Sequence, residues 1–335
     1  MTEAGLDVLP GTAALSSAAD TKEAADKIGY PVIFKAAAGG GGRGMRIVHD
    51  PAAVADQFSI ARNEATSAFG NGDIYVEKYV TRPRHIEVQV LGDGEGGGIH
   101  LAERECSVQR RHQKLVEESP SPALDAATRD KLGERAAEAV RKLRYRGAGT
   151  LEFLLDSDTG RFYFLEMNTR IQVEHPVTEE VTGVDLVKAQ LRIAQGERLW
   201  LKQEDIVVRG HAIECRINAE DPVRFLPSPG RIAAYHAPGG PGIRIDSAAY
   251  AEWRVPPDYD ALIMKLIAYG KDRPEAIARM KRALGELVIE GIQTNTAFHQ
   301  RLFVFDDFVK GDYDTRIVER LRSPNLRSPN GELSK

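Results

Sequence analysis

Glu166-Met-Asn-Thr-Arg-Ile-Gln-Val-Glu-His-Pro-Val-Thr-Glu179 sets acids, an amide, an arginine and a histidine directly after the apolar run Phe162-Tyr-Phe-Leu165. Upstream lies a second apolar piece, Thr150-Leu-Glu-Phe-Leu-Leu155, and the turn-rich Asp156-Ser-Asp-Thr-Gly160 separates the two. That order predicts a β-hairpin. With the turn centred near Thr159 and no bulge, Glu152 falls opposite Glu166, and Asn168 shares their face because side chains two apart on a strand point the same way. Two carboxylates and an amide oxygen on one face make a hard-oxygen site, suited to magnesium or manganese rather than zinc. The same pattern also fits a solvated outer face on which Arg170 or nearby lysines balance the acids.

Composition sets the outer limits. The 335 residues are 42% hydrophobic and 28% charged with a net charge of -4, which suits a globular protein of two or three domains with ample core. Near-neutral charge argues against a general nucleic-acid binder. Cys106 and Cys215 stand far apart, so no disulfide framework or cysteine metal cluster is implied, and a reducing, cytoplasmic setting is expected. No signal-peptide pattern follows Met1, and no apolar run is long enough to span a bilayer.

Along the chain, Asp20 reads as a helix N-cap with Glu23 completing a capping box, and Gly29 as the stop. Strands follow at Pro31 to Ala36 and Met45 to Val48, and Asp50-Pro51 opens a helix with a stripe of Val54, Phe58, Ala61 and Ala65. Between the two strands, Ala37-Ala-Gly-Gly-Gly-Gly-Arg-Gly44 offers unshielded backbone N–H groups that can wrap phosphate oxygens, with Lys35 and Arg43 adding charge. A ligand-free hairpin tip is the plainer reading. Neither a Walker A lysine nor the helix of a dinucleotide fold follows the loop.

His85-Ile-Glu-Val-Gln-Val-Leu91 alternates strictly, placing His85, Glu87 and Gln89 on one face, a pattern that water-facing antiparallel sheet also gives. Arg104 to Leu115 is too charged for core, and His112 and Lys114 there read by themselves as ordinary surface residues. Further helices are expected at 130–145, 184–194 and 274–288, and strands at 210–217, 231–236, 242–246 and 262–269. The tail, with its repeated Arg-Ser-Pro-Asn, is expected to be disordered.

Taken together these pieces resemble biotin carboxylase, the ATP-grasp component of acetyl-CoA and propionyl-CoA carboxylases. The matching runs are Lys35 to Met45, Glu77-Lys78, Arg84 to Val90, Ala102 to Lys114, Arg146-Gly-Ala-Gly-Thr150, Glu166 to Pro176 and His211 to Asp221. The string from Arg170 to His175 is the most specific. The resemblance runs from about Met1 to Asp312. It implies an α/β (α+β) ATP-grasp fold: a mobile glycine-loop lid domain with linker over residues 1–80, a large mixed antiparallel-sheet domain over 81–320, and a tail over 321–335.

The resemblance also implies roles. Lys35 and the Gly41 and Gly42 backbone would hold ATP phosphates, and Glu77, Lys78, Tyr79 and Val80 would form the adenine hinge. His85, Gln109 and His112 would sit near the nucleotide. Glu152, Glu166 and Asn168 would hold Mg2+ or Mn2+. Lys114, Arg170, the Val173 backbone and Arg216 would bind bicarbonate, with Glu174 as its base and Arg216 stabilising the biotin enolate. Biotin would arrive as a substrate on a biotin carboxyl carrier protein or domain, since no biotinyl-type Met-Lys-Met segment occurs here. Carboxyltransferase subunits and a homodimer are the other implied partners, with fatty acid biosynthesis as the setting and neither nucleic acid nor membrane involved. The family begins with a doubly wound domain of about a hundred residues, and Met1 matches near its end. A lysine that contacts ATP phosphate lies in that earlier part, so turnover by this chain alone stands as an open expectation. The alternatives are another ATP-grasp ligase of the carboxylate-amine or carbamoyl-phosphate type and a non-catalytic nucleotide-binding module.

Overall fold

A computed structural model describes residues 4–38 and 45–322, which form two compact bodies. The smaller takes in residues 7–83 and 156–165, and the larger takes the rest. Gly41 and Gly42 lie outside the described residues, as does the expected tail from residue 323 on.

In the smaller body, helix α1 (Ala18–Ile28), strands β1 (Val32–Ala36) and β2 (Met45–Val48), helix α2 (Val54–Phe69) and strand β3 (Ile74–Lys78) follow in order. The sheet order is β2-β1-β3, antiparallel throughout. Val32, Phe34 and Ala36 alternate inward on β1 and meet the Val54, Phe58, Ala61 and Ala65 stripe of α2, the period-two and period-3.6 patterns the sequence displays. Asp50 caps the 3-10 turn ahead of α2, as expected. The cap of α1 is Ser17, whose hydroxyl accepts from the Asp20 backbone, and not Asp20 itself. Both residues carry a capping oxygen, and the helix starts one turn earlier than the acidic residue suggested.

The larger body is built on an eight-stranded sheet, one hairpin of which has its tip, residues 156–165, grouped with the smaller body. Its strands are β4 (Pro83–Asp93), β5 (Gly98–Arg110), β6 (Gln113–Ser119), β7 (Arg146–Asp156), β8 (Arg161–Asn168), β9 (His211–Asn218), β12 (Ile243–Ser247) and β14 (Leu262–Gly270). They lie in the order β12-β14-β9-β6-β5-β4-β7-β8. Two short pairs stand apart: β10 (Gly230–Arg231) with β13 (Arg254–Val255), and β11 (Ala234–His236) with β15 (Val288–Glu290). The expected strand 231–236 is thus split between them. Helix α3 (Ala126–Lys142) lies against β5, where Gly133 permits the approach: a Cβ there would come within 2.3 Å of the His100 ring. Helices α4 (His175–Thr182) and α5 (Leu186–Ala194) follow β8, and α4 ends on Gly183 in the left-handed conformation. Helices α6 (Arg273–Glu286), α7 (Thr296–Leu302), α8 (Asp306–Lys310) and α9 (Ile317–Arg322) complete the body. Its main core joins Ile213, Cys215 and Ile217 of β9 and Leu266 of β14 to Met280 and Leu284 of α6 and to Phe298, Phe303 and Phe308. Cys106 and Cys215 are buried free thiols.

Candidate active site

The polar face of β4 is not water-facing. Glu87 and Gln89 are fully buried and His85 nearly so. What buries them is Arg104, directly opposite Glu87 in the β4–β5 register. Its Nε donates to Glu87, Nη1 to Gln89 (2.6 Å) and Thr178 of α4 (2.9 Å), and Nη2 to Thr150 of β7 (3.1 Å) and Gln172 (3.2 Å). A guanidinium with every donor satisfied is the condition under which a charge is tolerated inside a protein. One side chain thereby ties β4, β5, β7, the 169–174 segment and α4 together.

Lys114, at the start of β6, is the second cation. Its Nζ donates to Glu87 at 2.5 Å, Glu174 at 2.6 Å and Glu152 at 3.0 Å. Burial alone would favour the neutral amine, but the surrounding carboxylates outweigh it and raise its pKa well above that of a free lysine. Burial likewise opposes ionisation of Glu87, and Arg104 and Lys114 overcome it, lowering its pKa to about 2.

Arg216 of β9 is the third cation. Its Nε donates to Glu117 at 2.6 Å and its Nη2 to Glu174 at 2.9 Å. Asn295 and His299 hold the Arg216 backbone carbonyl, each at 2.9 Å. Glu174, which opens α4, thus has one oxygen on Lys114 and the other on Arg216 and is almost wholly buried.

Beside this centre, Asn168 donates to Glu152 (3.1 Å) and Glu166 (3.2 Å), so the three residues expected to share a face do converge. Burial raises the carboxyl pKa of Glu152, but the His85 contact and Lys114 pull it well below the usual range, leaving an anionic oxygen. Together with the exposed Glu166 this hard-oxygen set fits a magnesium- or manganese-like ion. His85, Glu87 and Glu152 also bring ligand atoms close together, but the Lys114 ammonium already bonds both acids, which disfavours a metal there.

The remaining expected residues fall in three places. Arg170 is exposed and bonds Asn168 and the Ile171 carbonyl. The Val173 carbonyl is held by Lys265 at 3.1 Å. Gln109 faces Lys114 in the β5–β6 register, and His112 sits exposed in the turn with φ 65°. In the smaller body, Lys35 bonds Glu77, Lys78 donates to the Gly29 and Tyr30 carbonyls, the Tyr79 ring meets His49 edge-on, and Val80 is buried. Sequence reasoning left Arg104, Glu87, Gln172 and Glu117 out of the site. The alternation of His85, Glu87 and Gln89 was the available signal for Glu87.

A large antiparallel sheet carrying this charged centre, together with a small three-stranded body, defines an ATP-grasp ligase. Residues 1–202 match the family described as carbamoyl-phosphate synthase L chain, ATP binding domain, and residues 214–320 match the biotin carboxylase C-terminal domain. A biotin carboxylase of Nostoc sp. is 56% identical over 323 residues, 96% of this chain and 72% of that protein. The Campylobacter jejuni biotin carboxylase in its beta-gamma-ATP complex is 50% identical with a TM-score of 0.86, over 95% of this chain and 71% of that one. The biotin carboxylase domain dimer of Hydrogenobacter thermophilus 2-oxoglutarate carboxylase, in complex with MgADP, ADP and bicarbonate, is 47% identical with a TM-score of 0.85, over 96% and 72%. The chain belongs to the biotin carboxylase family. Among the described residues no helix is long and apolar enough to cross a membrane.

Proposed function

We propose that the chain carboxylates biotin with ATP and bicarbonate through carboxyphosphate. The observation that carries this reading is the Glu174 carboxylate, bonded by Lys114 on one oxygen and Arg216 on the other. Bicarbonate is a poor nucleophile, so a carboxylate must remove its proton while cations restrain the dianion. Glu174 serves as that base. Lys114, Arg216 and Arg170, with the Val173 backbone, hold the anion. The dianion attacks the terminal phosphate of ATP and releases ADP. Carboxyphosphate then breaks down to carbon dioxide and phosphate, phosphate takes the biotin N1′ proton, and carbon dioxide bonds to that nitrogen while Arg216 stabilises the enolate. Glu152, Glu166 and Asn168 would hold magnesium or manganese, which when bound neutralises charge on the terminal phosphates.

Lys35 and the glycine loop serve the ATP phosphates, Glu77 to Val80 the base, and His85, Gln109 and His112 flank the nucleotide. Residues 1–80 supply the lid that excludes water, and residues 81–320 the bicarbonate and biotin centre. Biotin is delivered on a separate carrier protein or domain, carboxyltransferase subunits take the carboxylated product, the chain pairs as a homodimer, and it works in the cytoplasm. The test is bicarbonate-dependent ADP release from ATP and magnesium, with and without free biotin, comparing wild type with Glu174→Gln. Biotin-stimulated release that the variant loses is the expected result. ATP binding without such release overturns the catalytic reading in favour of a nucleotide-binding module.

A further inference from the structure

Two acids lie beside Arg216 that none of these roles uses. Glu117 of β6 and Glu214 of β9 stand directly opposite each other in the antiparallel register, and both are fully buried. Like charges in that position push a sheet apart. Glu117 Oε1 accepts from Arg216, but among the described residues its other oxygen and both oxygens of Glu214 have no hydrogen-bond partner.

The groups that face Glu214 are Glu117 from β6, Arg216 from its own strand, Lys265 from β14 and Glu174 from the start of α4; Lys114 faces Glu117, and His175 faces Lys265. Lys265 is already engaged by the Val173 carbonyl and by Asp246 at 3.2 Å. Ile267 stands opposite Glu214 in the β14–β9 register and belongs to a buried apolar cluster with Val177, Val181 and Ala212. A carboxyl group buried there without a donor takes up a proton rather than remain charged. Burial, then the neighbouring Glu117, pushes Glu214 well above the usual carboxylate range.

We propose that Glu117 and Glu214 hold one proton between them, resident on Glu214, and that neutral Glu214 is a positioning residue that keeps Arg216 available to an anion. With Glu214 neutral, Arg216 is shared, among the described residues, by Glu117 and Glu174 alone and keeps a partly open edge, its side chain being 17% accessible. Loss of the Glu214 proton to solvent sets a further negative charge beside the same guanidinium and opposes any incoming anion. The first half of the proposal needs no substrate; the second rests on the biotin carboxylase reading.

The proton is read by carbon-13 NMR of the whole ligand-free chain labelled at its glutamate carboxyls. At neutral pH one resonance is expected at the protonated position, and it is lost in Glu214→Gln. If that variant fails to fold, Glu214→Asp, which carries no label at the site, serves instead. A wild-type spectrum with every glutamate ionised overturns the proposal, as does a protonated resonance that survives the substitution. For positioning, the KM for bicarbonate in the ADP-release assay is expected to rise on the order of tenfold as pH passes the titration of that resonance. Glu214→Gln abolishes that rise. Identical pH profiles in the two proteins overturn the positioning role. Wild type without any bicarbonate-dependent release sinks the functional reading while the NMR still decides the proton.

Discussion

Lys35 and Lys114 are both lysines set against glutamate, one in each body, and their surroundings differ in kind. Among the described residues Lys35 has a single carboxylate partner, Glu77, and the two side chains are 27% and 23% accessible. Lys114 has three, and the acids are 0%, 9% and 2% accessible. A half-open ion pair is weak and can be exchanged for another anion such as a phosphate. A buried ammonium bonded by three carboxylates is fixed in place, because removing it leaves buried acids with one counter-charge fewer. The first arrangement suits a group that must release and recapture a ligand, and the second a group that must already be in position when a proton moves.

The comparison breaks most sharply on Lys114→Met. Bicarbonate-dependent ADP release should fall at least about a hundredfold, and urea unfolding should show a loss on the order of 3–5 kcal/mol. A variant as stable as wild type would mean that the buried centre is no more fixed than the surface pair. The second effect is an acid limb. Glu87 is depressed to about 2, so its contribution is present above its ordinary value of 4.5 and is lost as pH falls from there towards 2. Unfolding by urea across that window should show on the order of 3 kcal/mol of pH-dependent stability in wild type that Glu87→Gln lacks. Equal slopes in both proteins would refute the assignment. The smallest effect is Lys35→Met, with stability changed by no more than about 1 kcal/mol and a raised KM for ATP. A large stability loss there would erase the distinction.

The hairpin from Thr150 to Asn168 and the convergence of Glu152, Glu166 and Asn168 were legible in the chain, because turn residues and a period of two suffice to bring them together. The charged centre was legible only as a resemblance. Alternation in β4 says that two faces differ but not which one meets water, and a polar face can line an interior if partners arrive from elsewhere. Those partners are remote: Arg104 reaches residues 17, 15, 74, 46 and 68 positions away. No local window contains them, so Arg104 within its charged run gave no sign of being fully buried. Ser17 and Asp20 show the smaller version of the problem, in which two competent caps stand three residues apart and only the packing of α1 chooses between them.

Arg104 also constrains how this sequence can drift. A well-packed apolar centre of the same volume would be no less stable than a buried ionic one, yet single substitutions do not lead there. Replacing Arg104 first takes one of two cations from the buried Glu87 and the donor from Gln89, and replacing Glu87 first removes the carboxylate partner of Arg104 and one of the three acids around Lys114. Even lysine is a poor substitute, since one ammonium with three donors cannot reach the five acceptors of a planar fork. Every intermediate lies in a valley of stability, so descendants of this chain are expected to keep the arginine or to change several of its partners at once.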